Sequence, residues 1–436
     1  MIRMTAEHAQ WPIEDDAIFA IAGRAKQAEE KFGRENVINA TLGAIMDDDG
    51  GLVCLKTVYD ELKGLPNARI AAYAQLAGQP EFLTAIEKAC FAEHRPNGHI
   101  RSVATPGGTG GIKHAVWNYT NEGDDILVAD WFWSPYKTIS EEGKRGLRNF
   151  RLFNEEGGFD IRDFDEKFTQ LVKDQKRALT IINTPAHNPT GYSLSDEEWD
   201  KVIEVLKKNA QDKENKIILV VDTAYIDYAG EGTKQRAFFK KFEDLPENVF
   251  VMIAFSMSKG YTMYGLRMGA LIGISSVEDI AVDFYYGCLH AGRANWSNGT
   301  RAAMETLIEI DKDDAKLKAY EDERNHWRDV LRNRANVFVK AAEEVGLEIL
   351  PYRDGFFTTI PYHHPKQLVE KLTESNMFAV ALKKGVRFAI CAVDEKNCAK
   401  APAIIKKAMD ELKANKRSGG GCCGGGKGGG CCGKHK

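Results

Sequence analysis

Between about Phe82 and Ile274, short apolar runs alternate with stretches whose apolar residues recur every three to four positions. That rhythm predicts strands covered by helices on both faces, and so an α/β fold with a mostly parallel central sheet. The runs place strands at Asp125 to Ala129, Ala178 to Asn183, Lys216 to Asp222, Asn248 to Phe255 and Met268 to Ile274. A helix is predicted from Ser195: Glu198 follows three residues on, the reciprocal capping pattern, and Trp199, Val202, Ile203 and Leu206 then share one face. From about Lys316 to Val345, charges interspersed with Trp327, Val330, Leu331, Val337 and Phe338 predict one long helix joining two lobes. Beyond it, a strand over Phe356 to Tyr362, a helix from His364 to Leu372 and a strand over Val386 to Val393 predict a smaller α+β lobe, which the first fifty or so residues join. The chain has no internal repeat.

These readings divide the chain into an N-terminal arm with part of the small domain (1–55), a large domain (56–320), a small C-terminal domain (321–415) and a tail (416–436). The tail, KRSGGGCCGGGKGGGCCGKHK, has almost no apolar surface to offset the entropy of ordering it and is expected to be disordered. Its two Cys-Cys pairs and His435 lack the C-x-x-C spacing of a structural zinc site, and no metal is expected.

At 436 residues, with 43% hydrophobic and 28% charged residues, the chain has the makeup of a soluble globular protein of two or three units. A net charge of −4 gives no electrostatic footprint for nucleic acid. The first twenty residues carry neither a secretory nor an import pattern, and no apolar run approaches the roughly 18 to 20 residues that span a bilayer. Five scattered cysteines, Cys54, Cys90, Cys288, Cys391 and Cys398, suit a reducing compartment, and a cytoplasmic protein is expected. Cys391, inside a strand-like run, reads as an inert core thiol.

The chemistry gathers at strand ends. Ser256, Ser258 and Lys259 follow the apolar run NVFVMIAF, so Lys259 leaves the strand at its carboxyl end, where ligands bind in open α/β sheets and where a desolvated amine attacks carbonyls. Arg267 lies eight residues later in a Gly-Leu-Arg-Met-Gly turn, and the pair suggests a ligand with an aldehyde and an anion, as in pyridoxal 5′-phosphate. Thr105 to Ala115, TPGGTGGIKHA, is a glycine-rich turn entering a helix, an anion site without the residues of a nucleotide or dinucleotide loop. Asp222 ends the apolar run KIILVVD; a carboxylate there needs a cation or donors, or else it caps the following turn. Asn188-Pro189-Thr190-Gly191, taken alone, is an ordinary turn.

The order GGTGG, NPTG, D-x-A-Y, S-x-S-K, G-x-R-x-G, each at a strand end, resembles the fold-type I, class I aminotransferases of the aspartate and aromatic group, up to about Leu412. The resemblance implies that Lys259 holds pyridoxal phosphate as a Schiff base and then moves protons. It implies that Asp222 pairs with the pyridine nitrogen and that Asn188 and Tyr225 bond the ring hydroxylate. Gly108, Thr109, Ser256 and Arg267 would hold the phosphate. Trp133 would stack on the ring, with Trp131 or Tyr136 as substitutes if the loop is shifted. Gly43 would approach the substrate, Tyr73 would reach the phosphate of a partner subunit, and Arg387 would take the α-carboxylate. Arg293, in GRANWSNGT, would bind a distal carboxylate across the interface of a homodimer, although Trp296 and Asn298-Gly299 depart from the family pattern and Arg301 lies close by. The implied activity is amino-group transfer between an aspartate-type or aromatic L-amino acid and a 2-oxo acid such as 2-oxoglutarate, with no nucleic acid or membrane partner. On the same fold, a C–S lyase or a decarboxylase would keep Lys259 and Asp222 with less need of Arg293. A non-catalytic sensor would keep the pocket without turnover.

Overall fold

The computed structural model describes residues 2–13 and 17–418. All of the expected disordered tail except its first three residues falls outside them; those three continue the C-terminal helix, which runs over Glu395–Ser418. Twelve strands occur among the described residues: β1 (Ile38–Asn39), β2 (His99–Thr105), β3 (Asp125–Ala129), β4 (Gly146–Phe150), β5 (Arg177–Asn183), β6 (Lys216–Asp222), β7 (Val249–Ser256), β8 (Gly269–Ser275), β9 (Phe357–Pro361), β10 (Met377–Phe378), β11 (Val380–Ala381) and β12 (Gly385–Ala389). Seven of them form the central sheet in the order β2-β8-β7-β6-β5-β3-β4, flanked by helices. It is parallel except at β8, which runs antiparallel to both neighbours. Residues 257–268 join β7 to β8 and hold only the single helical turn Met257–Gly260, not the full crossover helix that usually accompanies a parallel return.

Strands β3, β5, β6, β7 and β8 lie within a residue of the positions predicted from their apolar runs. Strands β2 and β4 went unpredicted, because HIRSVAT and GLRNF carry charges that dilute the signal. They are the two edges of the sheet, where one side is free of a neighbouring strand and polar side chains are tolerated. The run predicted as a strand to Val393 stops at Ala389, and Ile390–Ala392 turns as a 3₁₀ segment that carries Cys391.

The predicted capping box is complete. Ser195 Oγ accepts from the Glu198 N–H at 3.2 Å, while the Glu198 carboxylate accepts from the Ser195 N–H at 2.8 Å. The long helix spans Asp314–Glu344 and begins two residues earlier than predicted, because Asp313 caps it by accepting from the Ala315 and Lys316 N–H groups. It packs on the C-terminal helix. Near it, β11, β12 and β9 form an antiparallel sheet, and β1 pairs in parallel with β10. The N-terminal segment is thereby hydrogen-bonded to the C-terminal lobe. Among the described residues, no helix is long and apolar enough to cross a membrane.

Register sets up the site. Thr105 and Ser256 both pair with Gly269, Ala254 pairs with Asp222, and Asp222 pairs with Asn183. The carboxyl ends of β2, β7, β6 and β5 therefore lie side by side along one edge. Gly269 is required in this row: a Cβ there would stand 2.3 Å from the Phe255 carbonyl oxygen.

Candidate active site

At that edge lies a cavity of about 240 Å³ bordered by Gly108, Thr109, Trp133, Asn188, Asp222, Tyr225, Ser256, Lys259 and Arg267, nine residues singled out from sequence. Asn183, Ala224 and Ser258 complete its wall. A larger cleft of about 660 Å³ near Phe19, Lys26, Arg34, Asp48 and Asp394 has no comparable set of strand-end groups.

Lys259 is carried by the single turn Met257–Gly260 that follows β7, with Ser256 as its cap. Its amine faces two aromatic rings, 5.6 Å from the centre of Tyr225 and 5.4 Å from that of Tyr264. Burial, reinforced by the nearby Arg267 charge, lowers its pKa to about 8. Asp222 is pushed the other way: burial raises its pKa, opposed by the Tyr136 hydroxyl, the Ala224 N–H and the Lys259 charge. The Tyr136 hydroxyl donates to Asp222 Oδ2 at 2.5 Å, and the Ala224 N–H donates to Oδ1 at 3.1 Å. Asp222 thus caps its turn and also holds a buried carboxylate at the cavity wall.

On one side of the cavity the helix Gly107–Tyr119 begins without a side-chain cap. The Gly110 N–H already bonds Pro106, so the three N–H groups before it are free of helical partners and carry the positive end of the helix dipole. Gly107 has φ +66°, and a Cβ there would press within 2.9 Å of Arg267 Nη2, so the glycine lets the guanidinium lie against the turn. Arg267 itself sits at φ +51°, a conformation that costs a non-glycine residue on the order of 1 kcal/mol or more. Its Nη1 donates to Ser258 Oγ at 3.3 Å and the Tyr264 carbonyl at 2.9 Å, and no carboxylate among the described residues pairs with it.

On the other side, Asn188 Nδ2 donates to the Tyr225 hydroxyl at 3.2 Å, and Arg387 Nη1 donates to Asn188 Oδ1 at 3.3 Å. Arg387, on β12, also donates to the Thr41 carbonyl at 3.0 Å and lies 4.3 Å from the Phe357 ring centre. The residue is 5% exposed, yet its Nε has no hydrogen-bond partner among the described residues. Gly43 borders the same ring, since a Cβ on it would meet Phe357 Cζ at 2.8 Å.

The structure also sorts the alternatives. Trp131 lies under the Lys384 amine and Tyr136 is committed to Asp222; of the three, Trp133 is the one that lines the cavity. Arg301 is bound to Glu305 and to the Tyr73 carbonyl. Arg293, at the end of the helix Glu278–Asn295, is exposed and donates to Ser297 Oγ at 2.6 Å. Tyr73 is 89% exposed. Neither Arg293 nor Tyr73 lines the cavity of its own chain. Cys391 is fully buried with its thiol pushed up to about 12 by burial, as an inert core cysteine would be. Sequence reasoning missed Tyr264 and Asn183; Asn183 ends β5 just as Asp222 ends β6, and that shared position was the available signal.

A half-buried lysine and a buried aspartate thus stand at adjoining strand ends, beside an arginine that no carboxylate among the described residues pairs with and an open helix start. The chain belongs to the aminotransferase class I and II family, whose model matches residues 35–405. It is 44% identical to a solved aminotransferase from Anaerococcus prevotii, with a TM-score of 0.91 over 94% of this chain and 99% of that one. It is 26% identical to an aromatic-amino-acid aminotransferase of Paracoccus denitrificans, over 60% of this chain and 64% of that protein. Its fold is also shared, at 20% identity and a TM-score of 0.76 over 93% of this chain and 100% of the other, with an aromatic-amino-acid aminotransferase from Burkholderia pseudomallei covalently bound to pyridoxal phosphate. The protein is therefore an aminotransferase with a fold-type I sheet.

Proposed function

We propose that the protein passes amino groups between an aspartate-type or aromatic L-amino acid and a 2-oxo acid such as 2-oxoglutarate, using pyridoxal 5′-phosphate held at Lys259. The observation that carries this reading is the lysine amine, drawn down to about 8 by burial, in one cavity with Asp222 and the uncompensated Arg267.

The residues fit that cofactor. A doubly anionic phosphate suits the free N–H groups around Gly108 and Thr109, the Ser256 hydroxyl and Arg267. A flat cationic ring suits Trp133 on a face and Asp222 at its nitrogen. The ring hydroxylate suits Asn188 and Tyr225. When bound, the cofactor supplies an electron sink for the bonds at the substrate's α-carbon.

The remaining work belongs to the chain. Lys259 Nζ, with its pKa about 8, can take a proton near neutrality and return it. The orphaned Arg387 Nε is a buried donor awaiting an anion, and a substrate α-carboxylate would satisfy it as a fork-to-fork pair. Gly43, lacking a Cβ, lets its segment lie against the Phe357 ring that Arg387 also contacts. The division at residues 55, 320 and 415 would set the substrate between two lobes, with Asn188 on one and Arg387 on the other. Arg293 and Tyr73, exposed in a single chain, suit a homodimer in which each subunit completes its partner's site: Tyr73 at the phosphate and Arg293 at a distal carboxylate. Five unpaired thiols among the described residues suit a cytoplasmic enzyme.

Purified enzyme should be yellow, and borohydride followed by digestion and mass spectrometry should find the cofactor on Lys259. A screen of amino acids with 2-oxoglutarate as acceptor identifies the donor. An adduct on a different lysine, or no transamination with any amino acid, would overturn the reading.

A further inference from the structure

Tyr136 is among the largest fully buried side chains of the described residues, at 1% exposure, and it has no place among the groups suited to the cofactor's phosphate, its ring or the substrate carboxylate. It enters the first turn of the helix Pro135–Glu142, where its N–H donates to the Trp133 carbonyl at 3.0 Å. Its ring stands edge-on to Trp133, with centroids 5.5 Å apart and planes at 87°. Its hydroxyl reaches 86 residues along the sequence to Asp222 Oδ2 at 2.5 Å. One side chain thus braces both the aromatic wall of the cavity and the acid at its floor.

The chemistry of that contact has a direction. A hydroxyl can donate to a carboxylate and stabilise its charge, whereas burial favours the neutral acid. Without a donor, Asp222 at the end of an apolar strand would drift toward protonation and could no longer bond a protonated ring nitrogen as an anion. The phenol keeps its own proton, because burial and the adjacent carboxylate hold its pKa well above 10. The Ala224 N–H occupies the other oxygen at 3.1 Å, so each carboxylate oxygen has one fixed donor and a lone pair to spare.

We propose that Tyr136 is a positioning residue that keeps Asp222 ionised and aimed at the cofactor's ring nitrogen. The proposal rests on the cofactor reading above and extends it to how the acid is held. It requires that Tyr136 act only on ligands that possess that nitrogen.

The test compares apo wild type with Tyr136→Phe, which retains the ring against Trp133 and removes one oxygen. Each is titrated with pyridoxal phosphate and with its carbocyclic analogue, in which CH replaces the ring nitrogen. Losing one hydrogen bond to a charged group should weaken pyridoxal phosphate binding by about tenfold or more, while analogue binding changes less than about twofold. The two affinities would then converge, as they should in Asp222→Ala. Equal weakening of both ligands would mean that Tyr136 only packs, and no weakening of either would mean that its hydroxyl is idle; either result overturns the proposal. Failure of wild type itself to prefer pyridoxal phosphate over the analogue would instead refute the Asp222 pairing and the cofactor reading beneath it. If the phenylalanine variant does not fold, NMR of the wild-type holoenzyme decides: a protected, downfield Tyr136 hydroxyl proton coupled to Asp222 supports the contact, and a freely exchanging hydroxyl overturns it.

Discussion

Arg387 donates Nη1 to Asn188 Oδ1 across 199 residues of sequence, tying strand β12 to the loop that leaves β5. Asn188 in turn donates to Tyr225, so a buried cation, an amide and a phenol form one chain from the proposed carboxylate site to the proposed ring hydroxylate. Charge at one end is felt at the other, since Arg387 works against the rise that burial imposes on the Tyr225 pKa.

The two arginines should separate by substrate. Removing one partner of a buried, hydrogen-bonded charge pair costs on the order of 2 to 5 kcal/mol. Arg387→Ala should slow single-turnover reaction with every amino acid, since all share the α-carboxylate. Arg293→Ala should slow glutamate and aspartate and spare phenylalanine and tyrosine. Equal losses on glutamate and phenylalanine for Arg293→Ala would remove the argument for dicarboxylate recognition.

Lys259→Ala should abolish transamination, by roughly 10³-fold or more in the single-turnover rate, because proton transfer by a placed side chain is itself worth about 10² to 10⁴. Borohydride should then leave no fixed cofactor on the protein. Retention of wild-type rates would refute the assignment.

The lysine also implies a pH dependence of apoprotein stability. Its folded pKa of about 8 lies below its unfolded value of 10.5, so the unfolded chain binds more protons between those limits. The resulting penalty is fully present below pH 8 and fades as pH rises toward 10.5, with a size on the order of 3 kcal/mol. Lys259→Met should therefore be more stable than wild type at pH 7, and the gap should narrow by pH 10. Urea unfolding of both apoproteins at the two pH values measures it; a gap that does not depend on pH would contradict the desolvation argument.

Asp222→Ala should bind cofactor weakly and lose most of its activity. It should also leave the Tyr136 hydroxyl buried without an acceptor, a loss of about 1 to 3 kcal/mol in apoprotein stability. Turnover like that of wild type would reduce the carboxylate to the cap of the Ala224 turn.

Ser195→Ala removes one half of the capping box and should destabilise the protein by about 1 kcal/mol, read from its denaturation midpoint. Activity per folded molecule should be unchanged, since the box stands apart from the cavity.

Much of this architecture is legible along the chain because it is local. Apolar runs mark β3, β5, β6, β7 and β8, since a strand covered on both faces has no polar side to interrupt it. Ser195 and Glu198 announce a helix start, and Lys259 and Asp222 stand out as charges where apolar strands end. Contacts between distant segments leave no such trace. The Tyr136 hydroxyl finds Asp222, Tyr264 faces Lys259, Asn183 lies beside Asp222 and Arg387 meets Asn188 only because the sheet register and the packing of the C-terminal lobe bring them together. The edge strands β2 and β4 and the antiparallel entry of β8 were likewise decided in three dimensions, by which neighbour each backbone could pair with. The sequence by itself determined which strands would be buried and which charged groups would stand at their ends. Only the tertiary structure decided which donors meet those charges, because a hydrogen bond between residues 86 or 199 positions apart depends on where the chain has been brought, and no local periodicity encodes that.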